Sequence, residues 1–230
     1  MSISIIYTYF NQYDMLKKLI NIWSSYPKEL LDEFKFIIID DCSKNKAKDY
    51  IPNNLPFVLE LYEIETDIYC NIPGAMNLGS HVSDSEWLLH MDMDHYFEEK
   101  HLKNVLNLSK TGVNNKIYKF NRVYDKKTGR LKPHPKLSLM KRSTYWEIGG
   151  FDEDFCGSYG RTDTAFHTRA KLNSIATEEI QYNIFLEFDK QGEVIDLNRD
   201  LKRNTELLNN KIKNNTWSNK TLRFKWCRIL

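Results

Sequence analysis

The sequence predicts an α/β fold in which a mostly parallel central sheet carries helices on both faces. Over the first 110 residues, apolar runs alternate with segments of helical spacing, and polar clusters follow the ends of the apolar runs. Near-continuous apolar runs are typical of strands covered on both faces, and alternation of strands with helices favours parallel pairing. A chain of 230 residues is long enough for one large domain with a sizeable core.

The first half of the chain supplies the clearest elements. Ser2–Phe10 is rich in isoleucine and aromatic residues, which predicts a strand. Asp14–Ser25 carries apolar residues at helical spacing and is followed by Pro27, which predicts a helix and its end. The same criteria predict, in chain order, a strand at Phe34–Ile39, a strand at Leu55–Ile64, a helix at Pro73–Val82, a strand at Glu86–Met91 and a helix at Glu98–Ser109.

The second half of the chain is less regular. Gly149 and Gly150 close a short predicted helix, because glycine readily takes the left-handed conformation that ends helices. The predicted strands are Lys116–Asn121, Lys136–Met140 and Tyr182–Phe188, and the predicted helices are Arg142–Ile148, Asp163–Leu172 and Leu197–Ile212. A basic tail that contains tryptophan follows, and we expect it to pack back on the domain.

Charge and cysteine content exclude several classes of protein. Residues 190–230 hold ten Lys and Arg against four Asp and Glu, so with a net charge of +2 for the chain, residues 1–189 carry −4. The acidic body argues against a nucleic-acid partner, which only the basic tail favours. The four cysteines form no CxxC pair, so we predict neither a zinc site nor a redox pair, and reduced thiols indicate a cytoplasmic protein.

The sequence predicts no transmembrane segment and no signal peptide. No run approaches the roughly 18 apolar residues that a membrane helix needs. Met1–Phe10 is apolar but lacks a basic lead, so it is interpreted as a strand.

Three polar segments, Thr8–Asn11, Asp40–Ser43 and Asp92–His95, each follow a predicted strand. Ligands of open parallel sheets bind beyond the carboxyl ends of the strands, so we expect these segments to converge on one edge. Asp92 and Asp94, two residues apart, can hold a hard divalent cation if the backbone stays extended, or can form an acidic turn that serves solubility.

The other two segments also have alternative interpretations. A carboxylate at Asp40 or Asp41 can accept a hydrogen bond from a nucleotide base or a ribose hydroxyl, or can cap a helix or turn. The aromatic residues of Thr8–Asn11 can stack on a flat base or pack in the core.

Taken together, ordered motifs over about residues 2–172 resemble those of the family 2-like glycosyltransferases of the GT-A (Rossmann-like) fold. The matching segments are Thr8–Asn11 for T-x-[YF]-N, Ile39–Ser43 for V-D-D-x-S, Pro73–Gly79 for G-x-x-x-A-R-N-x-G, Asp92–Asp94 for DxD, Gly149–Glu153 for G-G-[FY]-D-E and Tyr159–Asp163 for G-x-E-D. The order of the motifs is more specific than any one of them.

The resemblance implies a role for each matched residue. Asp163 would be the general base that deprotonates an acceptor hydroxyl in an inverting transfer. Asp94 would bind Mn²⁺ or Mg²⁺ at the diphosphate, with Asp92 meeting the ribose or the metal and His95 as a further metal ligand. The residues at the nucleotide sugar would be Thr8, Phe10, Asp41, Asn77 and Asp92.

Two positions depart from the family pattern. Met76 stands where an Arg is usual, and Thr162 stands where a Glu is usual, so one contact at each position is lost. His134 and His167 are candidates to complete the metal shell, although each also has a structural interpretation. The departures motivate an alternative function, a non-catalytic nucleotide-sugar or glycan-binding protein of the same fold.

The resemblance implies a metal-dependent hexosyltransferase that moves a sugar from a UDP-sugar to the hydroxyl of a glycan or other acceptor. Residues 1–110 would form the nucleotide-sugar-binding half, residues 111–195 the acceptor and catalytic half, and residues 196–230 a basic C-terminal helix and tail. A sugar nucleotidyltransferase is disfavoured, because no glycine-rich, arginine-containing loop follows the first strand to bind a triphosphate.

Overall fold

The computed structural model describes residues 2–125, 130–188 and 198–230. Its strands are β1 Ile3–Tyr9, β2 Phe34–Asp41, β3 Val58–Ile64, β4 Trp87–Asp92, β5 His95–Tyr96, β6 Lys116–Asp125, β7 Arg130–Lys141, β8 Ala176–Phe188 and β9 Trp226–Arg228. Its helices are α1 Tyr13–Ser24, α2 Lys28–Leu31, α3 Ile72–Val82, α4 Glu99–Thr111, α5 Arg142–Ile148, α6 Thr162–Leu172 and α7 Lys202–Asn214, with 3-10 turns at Ala47–Tyr50 and Glu153–Phe155.

Within the described residues the strands form one sheet in the order β5-β8-β6-β7-β4-β1-β2-β3-β9. The four neighbours β3, β2, β1 and β4 are parallel, and β6 is parallel to β8. β7 runs antiparallel to β4 and β6, and the edge strands β5 and β9 are also antiparallel to their neighbours. The predicted α/β architecture, with a parallel half at its centre, is confirmed.

Some boundaries differ from those predicted. β2 continues through Asp41, inside the expected polar turn, because its pairing with β3 extends as far as Asp41 opposite Ile64. β8 begins at Ala176, six residues before the predicted start, because its polar first residues pair with the start of β6. The predicted helix start at Leu197 and the division between residues 195 and 196 lie outside the described residues.

Two apolar clusters sandwich the sheet, which explains the continuous apolar runs of its strands. On β1, Ile5 and Tyr7 face the cluster under α1 and α4, whereas Ile6 faces the cluster under α3, α5 and α6. Successive side chains of a strand point to opposite faces, so both sets are buried. This sandwich holds the carboxyl ends of β1, β2 and β4 in fixed positions.

The C-terminal tail packs on the domain, as expected. β9 pairs with the outer edge of β3, and the ring of Trp226 lies 6.0 Å from that of Tyr62. Leu222 and Phe224 pack against the second apolar cluster. All four cysteines are free thiols. Among the helices of the described residues, none combines the length and apolar character needed to cross a membrane.

Candidate active site

The carboxyl ends of three neighbouring strands bring the predicted polar segments together. β1 lies between β2 and β4, and Thr8 is opposite Ile39 on one side and Asp92 on the other. Tyr9 is opposite Asp40. The expectation that the three segments converge on one edge of the sheet is therefore correct. We call this edge the carboxyl edge.

One side of the carboxyl edge combines an exposed aromatic ring with a buried carboxyl group. Phe10 is 39% exposed. Asp41 is buried, its Oδ2 accepts a 3.2 Å hydrogen bond from the backbone N–H of Asn71, and its Oδ1 has no hydrogen-bond partner among the described residues. Burial raises the pKa of Asp41 to about 7. A carboxyl group with an unused oxygen can accept a hydrogen bond from a ligand.

A carboxylate and two imidazoles meet on the other side of the carboxyl edge. Ligand atoms of Asp92, His95 and His134 all lie within 4.8 Å of one another. Nε2 of His134 is 3.7 Å from Oδ2 of Asp92. Burial lowers the pKa of His134 to about 3, so its imidazole is neutral. One carboxylate and two imidazoles form a donor set that suits Mn²⁺.

Asp94 contacts this cluster through His95. Its Oδ1 accepts a 2.6 Å hydrogen bond from Nδ1 of His95. Carboxylates in this position orient metal-binding histidines and fix the tautomer that presents Nε2. The structure thus groups His134, for which a structural role was the alternative interpretation, with Asp92 and His95. Asp94 contacts His95, and its direct bond to a metal remains a prediction. His167 is not part of the group found among the described residues.

A buried lysine stands beside the cluster. The ammonium group of Lys136 contacts Oδ1 of Asp92, and the Lys136 side chain is only 4% exposed. Lys136 and His134 are two residues apart on β7, and both side chains approach Asp92. Burial would raise the pKa of Asp92, but the charge of Lys136 outweighs it and holds the pKa below its usual range. Asp92 is therefore ionised.

Asp163 lies in the first turn of α6, where the helix dipole favours a negative charge. Its Oδ1 is inaccessible to water and has no hydrogen-bond partner among the described residues. Desolvation raises the pKa of Asp163 to about 6, while Lys136 and Lys119 oppose the shift and Asp92 adds to it. A carboxylate with a pKa near neutral is suited to general-base catalysis.

Asn77 is fully buried, and the protein itself uses all of its hydrogen-bonding capacity. Its Nδ2 donates to the carbonyl of Phe151 at 2.9 Å and to Oε1 of Glu153 at 2.8 Å. Its Oδ1 accepts from Tyr145 Oη at 2.5 Å and from the Phe151 N–H at 2.9 Å. The nucleotide contact expected of Asn77 has no polar atom left to make it. The side chain instead ties α3 to the Gly149–Glu153 segment.

The two departures from the family pattern are both buried. Met76 belongs to the second apolar cluster, so its side chain serves packing there. Thr162 is the first residue of α6 and precedes Asp163 directly. Asp163 thus lies in the first turn of α6.

Helix α7 holds the loop that leads to Asp163, a role that the sequence did not indicate. Nδ2 of the buried Asn204 lies 2.9 Å from both the Ser158 and the Gly160 carbonyl oxygens, within donating distance. Nε of Arg161 donates to Oγ1 of Thr205 at 3.0 Å. In the sequence Asn204 is one polar residue among others on a polar helix, so nothing there indicates what its side chain binds.

A parallel sheet whose carboxyl edge carries these acidic and imidazole groups is characteristic of the GT-A glycosyltransferases. The family model described as glycosyl transferase family 2 matches residues 4–174, and the chain belongs to this family. No curated protein sequence matches the chain.

Solved structures similar to this one include GT-A glycosyltransferases. Staphylococcus aureus TarS 1–349 in complex with UDP-GlcNAc has a TM-score of 0.69 and 16% identity, over 93% of this chain and 67% of that one. The same protein with UDP has a TM-score of 0.64 and 18% identity, over 82% and 60%. The mannosyltransferase PcManGT from Pyrobaculum calidifontis, with GDP-Man and Mn²⁺, has a TM-score of 0.61 and 17% identity, over 80% and 56%.

Proposed function

We propose that the protein is a metal-dependent hexosyltransferase that moves a sugar from a UDP-sugar to an acceptor hydroxyl with inversion, using Asp163 as general base. The observation that carries this proposal is the buried environment of the Asp163 carboxyl group. Its carboxyl group combines a raised pKa of about 6 with an unused Oδ1 in the first turn of α6, within the electrostatic reach of Asp92 and Lys136. Such a group can accept a proton near neutral pH.

In this proposal the donor nucleotide lies against β1 and β2. Phe10 offers an exposed ring on which a base can stack, and Asp41 offers an unused buried oxygen that can accept a base N–H. Thr8 and Asp92 are further contacts of the donor in this proposal. Asn77 is not among them, because its amide is fully hydrogen-bonded within the protein. UDP is supported by the UDP and UDP-GlcNAc complexes of TarS. GDP remains the second nucleotide to test, because PcManGT holds GDP-Man.

Asp92, His95 and His134 would hold the divalent cation, with Asp94 orienting His95. A bound Mn²⁺ or Mg²⁺ neutralises charge on the departing diphosphate. Manganese is supported by the PcManGT complex and by the donor set. Asp163 takes the proton from the acceptor hydroxyl while that oxygen bonds to the anomeric carbon and the bond from this carbon to the UDP oxygen breaks. One displacement inverts the anomeric centre.

This assignment divides the chain into three segments with different functions. We propose that residues 1–110 bind the nucleotide sugar, that residues 111–195 supply the acceptor and catalytic half, and that residues 196–230 brace it. The contacts of Asn204 with the carbonyls of residues 158 and 160 support the last role. Four free thiols support a cytoplasmic location.

The experiment measures donor cleavage and nucleotide binding separately. Purified protein is incubated with UDP-GlcNAc, UDP-glucose, UDP-galactose and GDP-mannose, with Mn²⁺ or with EDTA, and nucleoside diphosphate release to water or to added sugars is followed. We expect Mn²⁺-dependent release of UDP. Asp163→Asn should lower that release at least a hundredfold, a loss typical of removing a general base, while calorimetric UDP affinity with Mn²⁺ stays the same.

Two other outcomes contradict the proposal in different ways. If the wild-type protein binds UDP but cleaves none of the four donors, the non-catalytic nucleotide-sugar-binding alternative replaces it. If Asp163→Asn retains full turnover, the general base is another residue.

A further inference from the structure

Lys136 is a buried cation at the centre of the candidate active site. Its side chain is 4% exposed, and its ammonium group pairs with Oδ1 of Asp92. Lysine is almost never fully buried unless it is paired, because desolvating a charge is costly. This fold therefore maintains a costly positive charge at the carboxyl edge.

The two oxygens of Asp92 face different groups. Oδ1 contacts Lys136, whereas Oδ2 lies 3.7 Å from Nε2 of His134. β7 carries both His134 and Lys136, and it is paired with β4 through Ser138 opposite His90. A divalent cation bound by Asp92 and the two histidines would therefore share this carboxylate with the ammonium group.

Lys136 also influences the proposed general base. Among nearby charges it is the one that lowers the pKa of Asp163 most strongly, ahead of Lys119. Lys136 therefore lies within electrostatic range of Asp92 and Asp163 together. The departing diphosphate of a donor would carry its negative charge through this same region of the site.

We infer that Lys136 is a resident cation of the donor site, which opposes the divalent cation at Asp92 when no nucleotide is bound and binds the diphosphate when a donor enters. The inference rests on the proposed function of the site. Like charges close together repel, so the ammonium group weakens binding of the bare metal ion. A lysine ammonium on its flexible stem also binds phosphate as a point charge, so it favours the loaded donor.

The test measures Mn²⁺ and UDP binding without any turnover. Free Mn²⁺ is quantified by electron paramagnetic resonance during titration of nucleotide-free protein. Lys136→Met should bind Mn²⁺ about tenfold more tightly than wild type, a change of the size seen when outer-shell groups of metal sites are altered. In EDTA, the same variant should bind UDP about tenfold more weakly by calorimetry, because a phosphate contact is lost.

Two further variants serve as matched controls. Lys136→Arg keeps the positive charge and should bind Mn²⁺ as weakly as wild type. Lys141→Met removes a lysine from the same strand, where it pairs with Glu86 at 2.7 Å and lies five residues from Lys136, about 16 Å along a strand. It should leave both affinities unchanged. Lys136→Gln replaces Lys136→Met if that variant does not fold.

The possible outcomes separate this inference from the proposed function. If wild-type protein binds Mn²⁺ and UDP, but the uncharged variant has unchanged or weaker Mn²⁺ affinity, the inference is overturned and the proposed function stands. It is also overturned if UDP affinity in EDTA does not fall. If wild-type protein binds neither Mn²⁺ nor any nucleoside diphosphate, the proposed function itself is wrong, and the inference fails with it.

Discussion

Asp94 and His95, adjacent in the chain, are joined by a 2.6 Å hydrogen bond from Nδ1 of His95 to Oδ1 of Asp94. The chain turns after Asp92, where β4 ends, and His95 already begins β5. Two carboxylates spaced i, i+2 share a direction only in an extended backbone, so this turn separates Asp94 from Asp92. The segment Asp92–His95 therefore presents one carboxylate and one oriented imidazole to the metal cluster.

This arrangement predicts unequal effects of the two aspartates on metal affinity. Asp94→Asn should weaken Mn²⁺ binding by about tenfold, because it disturbs only the orientation of His95. Asp92→Asn should abolish measurable binding, because it removes a ligand. Calorimetry with Mn²⁺ and UDP measures both. Equal losses in the two variants would make Asp94 a direct ligand, as the sequence motif implied.

The raised pKa of Asp163 predicts a pH-dependent stability. Its pKa rises from 3.8 to about 6 on folding, so the carboxyl contributes stability below about pH 4 that is lost as pH rises through 6. Asp163→Asn should therefore stabilise the protein at pH 8 by about 2 kcal/mol, since a pKa unit is worth at most about 1.4 kcal/mol and partial exposure reduces this.

Urea denaturation of Asp163→Asn at pH 8 and at pH 4 measures this effect, and the gain should disappear at pH 4. Glu206→Gln, on the exposed face of α7, is the control and should show no such difference. In the wild type, donor cleavage should rise with pH through about 6, because only the ionised carboxylate accepts a proton. A gain at pH 4 equal to that at pH 8 would contradict the raised pKa.

The sequence was sufficient to predict the central strands of the sheet but only part of the candidate active site. β1, β2 and β4 are recognisable because both of their faces are covered, and the convergence of Thr8 and Asp92 follows from parallel pairing. The sequence offered His134 only as one of two further histidines that could complete the metal shell, and it could not decide between His134 and His167. The grouping of His134 with Asp92 depends on β7 returning antiparallel beside β4, and no local pattern fixes the partner of such a strand.

The sequence also did not predict the contacts of buried polar residues or the presence of short edge strands. Asn77 occupies a motif position, and only the structure reveals that four internal hydrogen bonds use its amide. β9 is three residues long and pairs with a strand far away in the chain, so local composition does not indicate it.

The internal role of Asn77 predicts a loss of stability without a loss of ligand affinity. Asn77→Ala removes one hydrogen bond from each of Glu153, Tyr145 and the N–H and carbonyl groups of Phe151. The change should cost about 3 kcal/mol, because unsatisfied buried groups cost about 1–3 kcal/mol each and some of these groups keep another partner, such as the Leu222 N–H on Glu153. Urea denaturation measures this cost. Asn107→Ala, on the exposed surface of α4, should change stability by less than about 0.5 kcal/mol.

Calorimetry on the folded fraction of Asn77→Ala should give the UDP and Mn²⁺ affinity of wild type. A large fall in UDP affinity, with the fold intact by circular dichroism, would restore the nucleotide contact that the motif implied for this residue.

The contacts of Asn204 predict that α7 controls catalysis through the loop before α6. Asn204→Leu removes the donor that lies within reach of the Ser158 and Gly160 carbonyls, so the loop should loosen and Asp163 should lose its fixed position. Hydrogen exchange should accelerate in residues 155–163, and donor cleavage should fall at least tenfold, because small misplacements of a catalytic group have large kinetic costs.

UDP and Mn²⁺ affinity should not change in Asn204→Leu, because the proposed donor contacts lie on β1, β2, β4 and β7, away from this loop. Asn209→Ala, exposed on the same helix, is the matched control and should leave exchange, cleavage and affinity as in wild type. If Asn204→Leu weakened UDP binding as much as it slowed cleavage, the loop would belong to the donor site, and a role confined to positioning the base would be wrong.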